Sequence, residues 1–220
     1  MNVTLKSYTK DAEGDRNLLE QIAYVARVSN PSNQNNDQTA EKLVNYLVKH
    51  KHWSPLEMVD ATLEIETTRD IARQILRHRS FVFQEFSQRY ADPTDVDAGM
   101  GFSFKEARLQ DAKNRQNSIE IDDQELKDWW WETQDEIVTG ALCAYESAIR
   151  RGIAKEQARA VLPEGLTKSR MYMKGSIRSW IHYIMIRSGV ETQKEHREIA
   201  IACANALEPI FPMIKEFVNE

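Results

Sequence analysis

Apolar and polar positions alternate at the start of the chain, where Val3 and Leu5 predict a short first strand. Apolar residues then recur at helical spacing over 17–28 and again over 39–49. The stretch between them, SNPSNQNN, is rich in turn formers and reads as a loop. The clearest strand is 59–66, where Val59, Ala61, Leu63 and Ile65 alternate with Asp60, Thr62, Glu64 and Glu66. A helix follows, beginning near Thr67 or Thr68, with Thr67 as its cap and Asp70 in its first turn. Its apolar side is Ile71, Ile75 and Leu76, and it runs into Arg77, His78 and Arg79.

The segment ADPTDVDAGMG is a loop, and GFSF (101–104) predicts a further short strand. Leu126, Trp130, Ile137, Ala141, Ala144 and Ala148 predict a long helix over 122–151, stopped by Gly152. Trp129, Trp130 and Trp131 cannot all face one core, so at least one is expected to meet another element or subunit. Two more helices are predicted, over 167–188 and 192–219. The sum is α+β: a single helix-rich domain, 1–220, with a small, mainly antiparallel sheet.

Composition narrows the function classes. The 220 residues contain only 8 Gly and 6 Pro, against an all-β sandwich full of turns. A net charge of -5 disfavours a general nucleic-acid partner, although it leaves room for a local basic pocket. No apolar run approaches the roughly 20 residues of a membrane span, so no membrane association is expected. The opening residues carry no apolar h-region, so no secretory signal is expected. Cys143 and Cys203 form no CxxC pair and read as small buried core thiols. A cytoplasm, or a host cytoplasm for a viral chain, is the expected compartment.

The most unusual segment is RHRSFVFQEFSQRY, 77–90, where four basic residues, one carboxylate and four aromatics are interleaved. A solvated charged turn beside a core strand is the ordinary reading of such a run. Burial of Phe81, Phe83 and Phe86 would instead pull its polar residues into a partly dry site. Glu85 alone cannot neutralise Arg77, Arg79 and Arg89, whereas a phosphate ligand would, and forked guanidinium donors suit it.

Arg77-His78-Arg79, seven residues and then Ser87 resemble the signature of flavin-dependent thymidylate synthases. AYVARVS (23–29), HWSPLEM (52–58), EQARAVLP (156–163), GSIRSWIHYIMIR (175–187) and ETQKEHREIA (191–200) resemble that family's other blocks, in the same order. Val82, Gln84 and Met58 stand where the family commonly has Ser, Asn and His.

The resemblance implies a homotetramer with FAD held between chains at subunit junctions. It implies flavin contacts at Ser54, Arg77, His78, Arg79, Glu85, Ser176, Arg178 and His182, with Ser29 and Glu57 as weaker candidates. It implies dUMP contacts at Gln74, Arg77, Glu85, Phe86, Ser87, Gln88, Arg89, Arg159 and Arg187. The implied reaction converts dUMP to dTMP, with 5,10-methylenetetrahydrofolate as carbon donor and NADPH as reductant through FAD. Arg187 takes the catalytic role, stabilising negative charge on the N3 and O4 side of the uracil so that C5 becomes nucleophilic. No metal and no protein nucleophile are implied.

Helical geometry adds one constraint. Arg178 and His182 are four apart and share a face, while Arg187, nine after Arg178, lies close to the opposite side. One ligand on one face cannot meet all three. Taken alone, His182 reads as a hydrogen-bonded core histidine, and His196, in KEHRE, as part of a solvated helix face. Two other classes compete. A Mg-dependent helical nucleotide pyrophosphatase would use Glu132, Asp135 and Glu136, and a non-enzymatic binding module would use the aromatic-rich helices.

Overall fold

The structure is a computed structural model that describes residues 1–14 and 16–219. Its elements are β1 (Asn2–Tyr8), α1 (Leu18–Ala26), α2 (Ala40–Lys49), β2 (Asp60–Thr68), α3 (Arg69–Ile75), β3 (Val82–Glu85) and the hairpin β4 (Arg108–Gln110) and β5 (Ser118–Glu120). They continue with α4 (Gln124–Arg150), α5 (Lys155–Ala158), β6 (Lys168–Ser176), α6 (Ile177–Arg187) and α7 (Lys194–Leu207). The architecture is helix-rich α+β with a four-stranded antiparallel sheet in the order β1-β2-β6-β3.

Strand β2 forms where the alternation predicts it. Its apolar residues meet those of β6 directly: Ala61 opposite Gly175, Leu63 opposite Met173, and Ile65 opposite Met171. These residues are fully buried or nearly so, and they join Trp180, Ile181 and Ile184 of α6 and Ile199 and Cys203 of α7 in one core. The other face is polar, with Glu64 paired to Lys6 and Glu66 to Arg170. Helix α1 begins at a capping box of Asn17 and Glu20, and α4 at Asp123, close to the predicted starts.

Several expectations are corrected. The predicted helix 167–188 is a strand followed by a helix. Residues 168–176 are drawn into the sheet by pairing with β2 along their whole length, burying Ser169, Met171, Met173 and Gly175 in alternation. The predicted helix 192–219 ends at Leu207, because Pro209 and Pro212 cannot supply the amide donors that would continue it. GFSF makes only an isolated bridge, Phe102 to Thr167. On α4 the buried residues are Gln134, Val138 and Tyr145, and Ile137 is exposed. Cys203 is buried as expected, but Cys143 is exposed.

The junction of β6 and α6 is held by one close approach. Phe81 packs edge-on against Trp180, with ring centroids 4.8 Å apart. The Trp180 indole N–H donates to the Ala61 carbonyl at 3.1 Å. A Cβ at Gly175 would lie 2.4 Å from Cδ1 of Phe81, so only glycine lets this ring cover the strand. Gly175→Ala is expected to destabilise the fold by about 1–3 kcal/mol, the usual cost of overpacking. Chemical denaturation of the variant checks this, and an unchanged midpoint would show that Phe81 moves freely.

Candidate active site

Helix α6 positions the site, and it uses both of its sides. At its start Ser176 is the N-cap, its Oγ accepting from the Ser179 N–H at 3.2 Å. The same hydroxyl donates to Glu57 Oε2 at 2.8 Å, and Arg178 forms an ion pair with that carboxylate. The Arg178 hydrogen bond is the main cause that holds the Glu57 carboxyl below its ordinary range, against a smaller opposing effect of burial. These residues line a cavity of about 640 Å³ together with Trp53, Ser80, Ile181, His182 and Met185. His182 is exposed to this cavity, so it is not a core histidine.

Arg187 lies at the far end of α6 and turns away from that cavity, as the helical spacing requires. Its Nε–H donates to His78 Nε2 at 2.9 Å. A guanidinium has no acceptor, so this ring nitrogen must be bare. Burial first, and then the charge of Arg187, push the His78 pKa down to about 4. His196 stands next to this pair, its ring centroid 6.4 Å from that of His78. It is fully buried, and burial followed by Arg187 lowers its pKa to about 3. The expectation of a solvated His196 is therefore wrong. Its ring bonds Tyr183 Oη at 3.1 Å and Gln74 Oε1 at 3.2 Å. One neutral imidazole thus bonds the permanent cation, and a second lies behind the first.

A third group gathers at the C-terminal end of β3. Glu85 accepts from the Ser169 hydroxyl at 2.8 Å and lies 3.6 Å from Arg69. Gln88 and Arg159 line a cavity of about 340 Å³ with Arg69, Arg73, Glu156 and Thr167. Gln88 is 4% exposed, and its amide nitrogen has no hydrogen-bond partner. A buried unpaired donor beside guanidinium groups is a place for an oxyanion or a carbonyl.

The expected charge balance of 77–90 is corrected. Glu85 answers Arg69, and Arg89 pairs with Glu156 at 3.2 Å. Phe81 is buried, whereas Phe83 and Phe86 are only half-buried, because β3 is the edge strand beyond β6. Ser87 Oγ accepts from the Arg89 backbone at 3.4 Å. Arg77 and Arg79 are exposed and have no carboxylate partner among the described residues. Ser54 and Ser29 are also exposed, and neither lines the larger cavity. Glu132 and Glu136 lie on the exposed side of α4, and no cluster of three or more metal-ligating side chains occurs among the described residues. Among those residues no helix is long and apolar enough to cross a membrane.

Comparison with known proteins gives a consistent picture. The sequence profile of a family described as "Thymidylate synthase complementing protein" matches residues 5–213. A probable flavin-dependent thymidylate synthase of Paramecium bursaria Chlorella virus 1 is 46% identical over 220 residues, covering 100% of this chain and 99% of the relative. A flavin-dependent thymidylate synthase of Synechocystis sp. is 50% identical over 193 residues, covering 88% of this chain and 86% of the relative. In fold, the chain is similar to the UMP/dUMP methylase PolB from Streptomyces cacaoi bound with 5-Br dUMP. That match has a TM-score of 0.77 at 22% identity, covering 98% of this chain and 93% of that one.

The histidines carry a stability prediction. In the unfolded chain each takes up a proton near pH 6.5, but in the folded chain only near pH 4 for His78 and 3 for His196. Between those values the unfolded state binds more protons, so stability falls as pH is lowered from 6.5 towards 4. Denaturant melts across that range are expected to show the loss, and His196→Asn is expected to flatten it. An identical pH dependence in the variant would contradict the assignment.

Proposed function

Because the chain belongs to the thymidylate synthase complementing protein family, we propose that it makes dTMP from dUMP as a flavin-dependent thymidylate synthase. In this reading 5,10-methylenetetrahydrofolate gives the carbon, and NADPH supplies the reducing equivalents through FAD. The observation that carries the proposal is the two-sided α6. One face lines a large cavity, and the other holds a charged Arg187 against the neutral His78, with His196 behind it.

The larger cavity suits an isoalloxazine and its phosphates. Trp53, Ile181 and Met185 offer apolar walls, while Arg178 and His182 offer donors at the rim. Bound there, FAD supplies the hydride chemistry that no side chain can. Ser176 and Glu57 hold Arg178 in place, so the chain contributes a preset cation rather than one that must reorganise.

For dUMP, Arg159 is a phosphate partner in the smaller cavity, Arg89 stands at its rim through the ion pair with Glu156, and Gln88 brings the unpaired buried N–H. Arg187 meets the pyrimidine edge where negative charge develops during attack by C5. Its proton is not transferable at any working pH, so it acts by charge and hydrogen bonding alone. His78 fixes the guanidinium plane by accepting from Nε, leaving the two terminal nitrogens for the ring.

Neither cysteine, nor Ser87, is set up as a nucleophile. Burial raises the Cys203 thiol pKa, which disfavours the thiolate, and Cys143 sits exposed on α4. Ser87 is hydrogen-bonded to a backbone amide and has no base beside it. Against the helical pyrophosphatase reading, Glu132 and Glu136 lie on the exposed side of α4, and no cluster of three or more metal-ligating side chains occurs among the described residues.

The site also calls for more than one copy of the chain. Trp129, Trp131 and Ile137 are each more than half exposed on a 27-residue helix. Arg77 and Arg79, just beyond α3, are exposed and have no carboxylate partner among the described residues. A homotetramer would cover the former and let the latter reach a ligand bound to a neighbour. Light scattering is expected to give a particle of four chains, and a stable, fully active monomer would refute this.

Arg187→Ala is expected to retain FAD, seen as an unchanged flavin spectrum, while dTMP formation falls about 100-fold or more. Turnover at the wild-type rate would reject the role of Arg187.

A further inference from the structure

A polar chain runs from Arg108 and Glu195 through Gln193 and Gln74 to His196 and Tyr183, and its hydrogen-bond directions can be followed from one end. At one end Arg108 pairs with Glu195, a residue only 7% exposed. Burial pushes the Glu195 carboxyl upward, but its own backbone amide, Gln193 and Arg108 outweigh this and hold it ionised. A carboxylate only accepts. Gln193 must therefore turn its Nε2 towards Glu195, at 2.9 Å. That leaves Gln193 Oε1 facing Gln74, which answers with its own Nε2 at 2.8 Å. Gln74 Oε1 is then turned to His196 Nδ1, at 3.2 Å, which must carry the hydrogen. The neutral ring keeps a bare Nε2 for the Tyr183 hydroxyl, at 3.1 Å.

With the carboxylate as its start, each step follows from the one before it, which assigns the amide and imidazole orientations. Tyr183 and His196 are both 0% exposed, so the inner end of the chain is shielded from water, whereas Gln193 at its outer end is exposed. Gln74 is half-buried and spends one of its two amide hydrogens on Gln193. Gln74 also sits beside His196, whose ring lies 6.4 Å from that of His78, the acceptor of Arg187.

We propose that this chain is a polarity lock: Tyr183 and His196 act as positioning residues that make Gln74 present N–H, never C=O, to the bound pyrimidine. The lock would select a ring carrying a carbonyl oxygen at that edge over one carrying an amino group. Gln74 released from His196 could rotate by half a turn and offer Oε1, which suits an amino group instead. The inference rests on the dUMP reading above and adds a cause for its base selectivity.

The test is the ratio of dissociation constants for dCMP and dUMP on the FAD-loaded protein, measured by calorimetry. dCMP differs from dUMP at the ring edge by an amino group in place of the O4 carbonyl. Wild type is expected to favour dUMP. His196→Leu is expected to narrow the ratio by about tenfold or more, the size of one mispaired buried polar group. His196→Asn, which keeps an N–H near the Nδ1 position, is expected to hold the ratio within about threefold of wild type. Tyr183→Phe, a milder change that keeps the core filled, is expected to narrow it in the same direction by less.

A His196→Leu protein that binds flavin normally and loses affinity for both nucleotides equally would overturn the lock and leave His196 a packing residue. Should His196→Leu not fold, an unchanged ratio in Tyr183→Phe would overturn it as well. A wild type that binds neither nucleotide would remove the dUMP reading, and this inference with it.

Discussion

The site depends on the hydrogen bond from Arg187 to His78. A guanidinium can only donate, so the imidazole facing it must be neutral and must present a bare nitrogen. Burial and the arginine's own charge act together to keep it so. The result is a cation with no mobile counter-charge beside it, fixed in plane by its neighbour. Were His78 to protonate, two cations would face each other and the arginine would swing away. The same logic extends one residue deeper to His196, whose burial and whose nearness to Arg187 exclude a proton more strongly still.

This arrangement is possible because α6 is anchored at its start by the sheet and at its end by α7. The close approach of Phe81 to Gly175 brings the 77–90 segment against the first turn of α6. The segment's polar residues then spread over two environments. His78 points towards Arg187, and Glu85 and Gln88 point towards the arginines near β6 and α5. One helix thereby lines a large cavity at its start and sets Arg187 against His78 at its end, and residues nine apart can serve different ligands.

Much of this was legible in the chain itself. Strand β2 announces itself by strict alternation, and α1, α2 and α4 fall within a few residues of the stretches that periodicity marks. The division of Arg178 and His182 from Arg187 follows from helical geometry alone. Strand β6 was hidden because Arg, Met, Tyr and Lys are comfortable in helices. Its extended form comes from pairing with β2 more than a hundred residues earlier. His196 was hidden for a similar reason. Its neighbours Lys194 and Glu195 look solvated, but Glu106, Glu120 and Arg108, contributed by the β4–β5 hairpin region, neutralise them. No local signal in KEHRE reveals partners so far away, and the hydrogen-bond chain through Gln74 depends on them.

The central claim is that the protein activates a pyrimidine by fixed charge and hydrogen bonding, with no covalent link to the chain. Anaerobic incubation of the FAD-loaded protein with NADPH, followed by dUMP and methylenetetrahydrofolate, tests it most directly. The account predicts dTMP in the quenched mixture, with no pyrimidine attached to protein at any time point. Absence of dTMP, or a nucleobase covalently bound to a side chain during turnover, would contradict it.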